Sequence, residues 1–551
     1  MIGVVAEANA HQAVAEFFQL FKTPWEFARR GSQYDVILST VTEPVGASCK
    51  LLLLFSSKAT FFDAEGKTPI KSRFGGTVTC DGRRIPIYGT VTTFPANDSF
   101  ALMEDSNSEP AAFLDRSAEK ITLRIGYDLF NEVRVLLSVG QPTVNAAIPT
   151  LDEHISLLRH WIVSAGLPLI EIPPVPNGYN FLTCLTHDID HPAIRHHLCD
   201  HTMFGFVYRA TIGTLLNVFA GKKSVGALLK NWKSACLLPL VHLGMVRDFW
   251  CDFDRYLEIE AGHASTYFVI PHGHYRGRTA NGFAPRARAC RYAVSDVLPQ
   301  LKKIIAADCE VAVHGVDAWL DAEQGRKEKD AISKAIGATD LGVRMHWLLF
   351  DELSPIRLDR AGFSYDSTVG YRETVGYRAG TLQAYKPPGV TRLLELPMHV
   401  MDTALFYPSY LNLAEDEARP LVWKLIDDAE RMGGALTINW HDRSISPERL
   451  WDDFYFKLLR EVRARKAWLS TASQAIAWFR QRRSVTIETS QAPESSMQIR
   501  VSFEANESLP GLRLRVYTSR GASLPDYSHR SVPVEFCDFP LTGTTELALA
   551  V

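Results

Sequence analysis

Five short blocks of this 551-residue sequence place ionisable side chains directly after apolar runs. The densest is LTHDIDH at 185–191, where Asp188 and Asp190 alternate with His187 and His191. In an extended chain residues two apart share a face, so the two aspartates point together and the histidines do not join them. Packing two carboxylates together raises one pKa unless a cation neutralises them. A divalent metal does so, leaving one aspartate as ligand and the other free to accept a proton. The competing reading is an exposed polar turn with helix-capping aspartates. Four ionisable residues clustered after a buried strand disfavour it.

The other blocks add donors. In EVAVHGVDAW, at 310–319, His314 ends a strand and Gly315 allows close backbone approach; neutral imidazole is the commonest nitrogen ligand for zinc. In GVRMHWLLF, at 342–350, Arg344 and His346 alternate and share a face in a strand. The stretch YDSTVGYRETVGYRAGT, at 365–381, reads as a loop around a polar substrate, with Arg372 and Arg378 as donors. In LTINWHDRSISPERLW, at 436–451, an apolar strand delivers His441 and Asp442. His441 is a natural general acid with a carboxylate beside it in sequence.

Elements that could position these groups follow from periodicity. From Phe181 to about Arg480, strand-like runs (FLTCLT, STYFVI, EVAVHG, LLELPMHV, ALTINW) alternate with helical ones, which predicts a parallel α/β core. Several of these runs end in His, Asp or Gly, as expected where catalytic groups sit at strand C-termini. Before them, YDVILST and LLLLFSS read as buried strands and 151–165 as a helix. The prolines of GLPLIEIPPVPNGYNF prevent a helix and mark a boundary. After about 483, MQIRVSFEA, LRLRVYT and TELALAV alternate like antiparallel strands. The chain thus divides into an N-terminal α/β domain (1–170), a central barrel (171–482) and a small C-terminal β domain (483–551).

A formal charge of −3 excludes a globally basic nucleic-acid binder, and 46% hydrophobic with 22% charged residues excludes disorder. Nine cysteines, none in a Cys-x-x-Cys pair, read as small apolar residues of a reducing compartment. With no secretory signal and no uncharged apolar stretch of spanning length, the expected location is cytoplasmic. One segment stands apart. From Thr202 to Val246 the only charges are Arg209, Lys222, Lys223, Lys230 and Lys233, interleaved with apolar runs. Such a stretch fits a peripheral membrane contact or the holding of an anionic ligand; a helical insertion packed on the barrel with its lysines in water is the plainer reading.

Taken together, the LTHDID, HGVDAW, RMHW, YDST…GYR…GT and NWHDR blocks resemble the polysaccharide deacetylase superfamily, the NodB-homology group also called carbohydrate esterase family four. The likeness covers roughly 180–480 and is nearest to a subgroup with THDxD as first motif and a long N-terminal extension. It implies a distorted (β/α) barrel of about seven strands holding one divalent metal, zinc foremost, with nickel or cobalt as alternatives. Carried over by position, Asp188 matches the general base, Asp190 and His314 the metal ligands, and His441 the catalytic acid. The family's second metal histidine falls at 318, which is Ala here. His346 is the replacement expected, with His187, His191, His263 and His272 behind it, and Arg344 is expected to orient Asp188.

The activity implied is removal of an N-acetyl or related acyl group from an amino sugar of a glycan or glycan precursor, with Arg378, or a backbone N–H near it, stabilising the oxyanion. Trp319, Trp347, Tyr371, Tyr377 and Trp440 are aromatic candidates for sugar stacking or for core packing. Two other readings stay open. One is a glycan-binding scaffold that kept the barrel and lost turnover; the other is a hydrolase of a different acyl or phosphate substrate.

Overall fold

A computed structural model describes residues 1–44, 46–95, 101–117, 120–221, 223–492, 496–517 and 535–550. Within it the chain forms two compact units. The first comprises Met1–Gly178, Tyr377–Pro388 and Trp478–Val551, and the second Tyr179–Gly376 and Gly389–Ala477. The boundary at Gly178 falls in the proline-rich segment. The division differs from one drawn at 170 and 482, because the C-terminal strands belong to the first unit: Leu169–Glu171 pairs antiparallel with Leu512–Tyr517.

The second unit is α/β, built on a nine-stranded parallel sheet. Its order is Leu394–Glu395, Tyr365–Asp366, Val343–Met345, Glu310–Gly315, Thr266–Val269, Phe181–Ile189, Ala435–Asn439, Val400–Met401, with Ala467–Ser470 also paired to Phe181–Ile189. The count exceeds seven because pieces as short as Tyr365–Asp366 pair, and because LLELPMHV, read as one strand, is two. Those two pieces are the sheet's ends, joined by 396–399. In that link Leu396 N donates to Asp366 O (2.8 Å) and His399 N to Thr437 O (3.0 Å). The link therefore bridges both ends, and the sheet curls into a barrel.

Phe181–Ile189 is buried at every position, as a strand covered on both faces must be. Apolar side chains fill the space between sheet and helices; Val311, Val313, Ile304 and Ile332 belong to one such cluster. The Ala322–Ile336 helix starts where the Asp321 side chain accepts from Gln324 N and stops at Gly337, whose φ of 78° closes the last turn. Between the first two barrel strands lies a helical insertion. It holds His201–Tyr208, a π turn at Arg209–Gly213, Thr214–Phe219 and Val225–His242.

The first unit carries its own nine-stranded mixed sheet. Strands Trp25–Phe27, Ile2–Val5, Gln33–Ser39, Ser48–Phe55 and Ile121–Ile125 run parallel. The remaining four continue antiparallel. Arg124, in the last parallel strand, is fully buried, with Nη2 2.9 Å from Asp63 Oδ2.

Candidate metal centre and pocket

Asp190 follows the Phe181–Ile189 strand, His314 is the penultimate residue of Glu310–Gly315, and His346 comes directly after Val343–Met345. These three strand ends bring three donor atoms together. His314 Nε2 lies 3.3 Å and His346 Nδ1 3.2 Å from Asp190 Oδ1, and the two nitrogens are 3.1 Å apart. The remote nitrogens decide what faces inward. His314 Nδ1 lies 3.0 Å from Arg344 O and His346 Nε2 3.1 Å from Arg288 O. A carbonyl only accepts, so each remote nitrogen carries a proton, and in the neutral ring the inward nitrogen then presents a lone pair.

Asp190 Oδ1 is buried without a hydrogen bond. Its two close imidazole neighbours offer it no proton in their neutral form. Three converging lone pairs repel unless a cation sits among them. Histidines pinned through their far nitrogen to a carbonyl are also the usual support of metal ligands. The donor spacing matches the roughly 3.3 Å edge of a tetrahedral site with 2.0–2.1 Å bonds. Asp190, His314 and His346 therefore form a candidate metal site that fits the group.

Position 318, where the resemblance places a further histidine, is wholly buried in an apolar cluster as Ala318. The other histidines lie elsewhere. His187, on the opposite face of its strand, pairs with Glu260 at 2.9 Å, and its Nδ1 meets Trp440 O at 2.8 Å. His191 Nδ1 lies 3.1 Å from His197 Nε2.

Asp188 projects into the same pocket. Arg344 Nη1 donates to its Oδ1 (3.1 Å) and Asn439 Nδ2 to its Oδ2 (2.8 Å). Burial pushes this carboxyl up, but the Arg344 charge, then His314 and His441, bring it below its ordinary value. Arg344 is itself held by Ser367 O, Ser367 Oγ and Thr186 Oγ1 at 2.7–2.9 Å. The Val343–Met345 strand stops before His346, and Trp347 and Leu348 take left-handed φ values of 66° and 48°. Arg344 thus reaches Asp188 and His346 reaches the pocket, the second from a sharp turn rather than from a longer strand.

His441 faces the cluster from the other side, its Nε2 3.9 Å from Asp190 Oδ2. Its Nδ1 bonds Asp402 Oδ1 at 2.6 Å, and its backbone N donates to Asp402 Oδ2 at 2.6 Å. Burial lowers this imidazole's pKa, but Asp402, then Asp190 and Asp188, carry it up to about 9. Asp442, adjacent in sequence, does not serve it; its carboxylate accepts from His191 N at 2.7 Å.

A pocket of about 160 Å³ opens over these groups, walled by Trp347, Arg372, Tyr407, Tyr410, Arg443 and Arg449. Of the five aromatic candidates only Trp347 lines it. Trp319 sits in the core cluster, and Trp440 is buried against Phe454 and Tyr455. Arg378 is not among the lining residues. It belongs with Tyr377 to the first unit, where its carbonyl accepts from Gln141 N at 2.7 Å. Asp402 and Asn439 carry no motif in the sequence that marks them as site residues. Asn439 was within reach, since it alternates with His441 at the end of a recognised strand. Asp402 follows the Val400–Met401 strand, and a strand-end carboxylate was its one signal.

No family profile and no curated protein matches the chain. Among solved structures, a Mycobacterium smegmatis protein assigned as a polysaccharide deacetylase aligns at 20% identity and TM-score 0.35, over 59% of this chain and all of that one. An allantoinase aligns at 12% and 0.32, over 56% of this chain and 92% of its own. A Pseudomonas aeruginosa protein assigned as a polysaccharide deacetylase aligns at 15% and 0.31, over 42% and 73%. At such TM-scores these likenesses decide neither fold nor activity.

Proposed function

We propose that the second unit is a metal-dependent hydrolase that removes an N-acetyl or related acyl group from an amino sugar of a glycan or glycan precursor. The observation that carries this reading is the convergence of three lone pairs from Asp190, His314 and His346, flanked by an arginine-held carboxylate and an aspartate-held imidazole. The motif resemblance supplies the substrate class. Asp190, His314 and His346 would hold the ion, with zinc suited to a donor set of two nitrogens and one oxygen. Bound there, a divalent metal supplies Lewis-acid polarisation and acidifies water toward neutral pH.

The remaining work falls to the chain's own groups. Asp188, kept ionised by Arg344 and oriented by Arg344 and Asn439, accepts a proton at a carboxylate oxygen. His441, with Nδ1 turned toward Asp402, presents Nε2–H to the pocket and delivers that proton to the departing amine. Arg372 lines the pocket and is available to the acyl or sugar oxygens.

Acetate release from a panel of N-acetylated amino sugars and their oligomers, assayed with zinc, cobalt or nickel and after chelation, tests the reading. Release that depends on metal is expected. A protein that binds metal stoichiometrically yet hydrolyses no N-acyl sugar would overturn the substrate class. One that binds no metal would overturn the centre itself.

A further inference from the structure

The helical insertion of the second unit is apolar on more than one side. Its inner face packs Phe206, Ala210, Leu238 and Val241 around Trp250, but it also buries Thr214, Asn231 and Ser234, with Asn231 Nδ2 donating to Thr214 Oγ1 at 2.7 Å. The outer face carries an apolar stripe of its own. Phe204, Tyr208, Ile212, Leu216 and Phe219 follow one another at four- and three-residue steps, and each is between 54% and 81% exposed. A four-residue step advances a stripe by about 40° in an α-helix. The wider π turn at Arg209–Gly213 works against that drift and keeps the five side chains on one side. Val225, Leu229 and Trp232 form a matching exposed stripe on the next helix, and Leu243 and Met245 extend it past the helix end. Exposed apolar surface of this extent marks a contact with something apolar.

Charge selects the occupant. From 201 to 247 there is no Asp or Glu, in a chain that has 62. Lys230 and Lys233 are exposed on the same helix as the second stripe. A second copy of this chain would bring like charges together across such a face. An anionic lipid surface would accept the apolar stripes among its acyl chains and the ammonium groups among its headgroups. No helix among the described residues is long and apolar enough to cross a membrane, so the element would lie in the interface rather than span it. It is also tied to the pocket: Lys223 Nζ donates to the carbonyl of Arg449, a pocket residue. Lys222 lies outside the described residues.

We infer that 201–247 docks the protein on an anionic membrane surface, holding the rim of the pocket close to the headgroups. This inference is independent of the deacetylase reading, since it concerns a surface and not turnover. Co-sedimentation of the full chain with phosphatidylcholine vesicles, with and without phosphatidylglycerol, tests it. Binding is expected only to the anionic vesicles and should weaken as salt rises. Phe204→Ser, Leu216→Ser and Phe219→Ser combined should lower it by about tenfold or more through loss of buried apolar area. Lys230→Glu with Lys233→Glu should cost about tenfold through charge. All five positions are exposed, so the thermal midpoint should hold. The inference is overturned if the parent ignores anionic vesicles at low salt. It is equally overturned if the triple variant binds them as well as the parent, or if the triple substitution instead dissolves an oligomer of a protein that binds no vesicle.

Discussion

Both units bury charge, but they do so in opposite ways. In the first, Arg124 spends its donors on Asp63, Ser56 O, Ile125 O and Lys58 O, and Asp63 Oδ2 also accepts from Thr60 N and Oγ1. Donors meet acceptors, and the cluster is finished. In the second, His314, His346 and Asp190 aim acceptors at one another, with Asp190 Oδ1 unsatisfied. A network of this first kind stabilises a fold, whereas convergent acceptors are suited to binding a cation. That contrast separates a structural ion pair from a binding site more sharply than burial or charge alone.

The largest expected effect is on the unfinished cluster. Asp190→Ala, His314→Ala and His346→Ala should each lose bound metal, measured per chain by elemental analysis, and turnover should go with it. If His346→Ala binds metal as tightly as the parent, the cluster is no centre and the contrast fails. Next comes Asp188→Asn, which should keep its metal and lower kcat by about 10²–10⁴, the usual worth of a general base. Unchanged activity would remove Asp188 from proton transfer.

The finished cluster should respond differently. Asp63→Ala strands a buried guanidinium and should cost about 3–5 kcal/mol in urea unfolding, with metal content untouched. Asp190→Asn in the metal-free protein should cost far less, because it exchanges one of three clashing acceptors for a possible donor.

The smallest effect concerns a buried imidazole without charged partners. His154 in the first unit meets Tyr127 Oη at 3.2 Å, and burial lowers its pKa from 6.5 to about 3. Its folded pKa lies below the unfolded one, so from 6.5 down toward 3 the unfolded chain binds a proton that the folded chain refuses. Stability from this group is full above 6.5 and drains as pH falls through that window. His154→Gln should therefore lose less stability between pH 7 and pH 5 than the parent, read from urea midpoints. An identical loss in the two proteins would remove His154 from the acid sensitivity.

Much of the site was legible because parallel strands deliver their last residues to one end of the barrel. Asp188, Asp190, His314 and His441 all follow apolar runs, and His346 was reached as the replacement for the histidine that the family resemblance places at 318. What could not be read was which distant groups meet. Asp402 is an ordinary aspartate in sequence, and only the barrel's curl brings it to His441. Arg378 shares a glycine- and tyrosine-rich block with Arg372, yet the chain passes from one unit to the other between Gly376 and Tyr377. A motif can straddle such a crossing without any local mark. The alternating pattern of the C-terminal strands was plain, whereas their partner Leu169–Glu171 lies hundreds of residues away and could not be paired by pattern alone.

The three donors of the cluster come from three separate stretches of chain, each at the end of a different strand. An ion held by all of them would act as a cross-link, closing two long loops much as a disulfide does. Because it would bind the folded barrel and not the open chain, its concentration would set the barrel's resistance to unfolding by mass action. Chelation would then loosen one end of the second unit's sheet, visible as faster amide exchange at 188–190, 313–315 and 343–346. The Arg124–Asp63 pair of the first unit, fastened entirely by its own chain, would be indifferent.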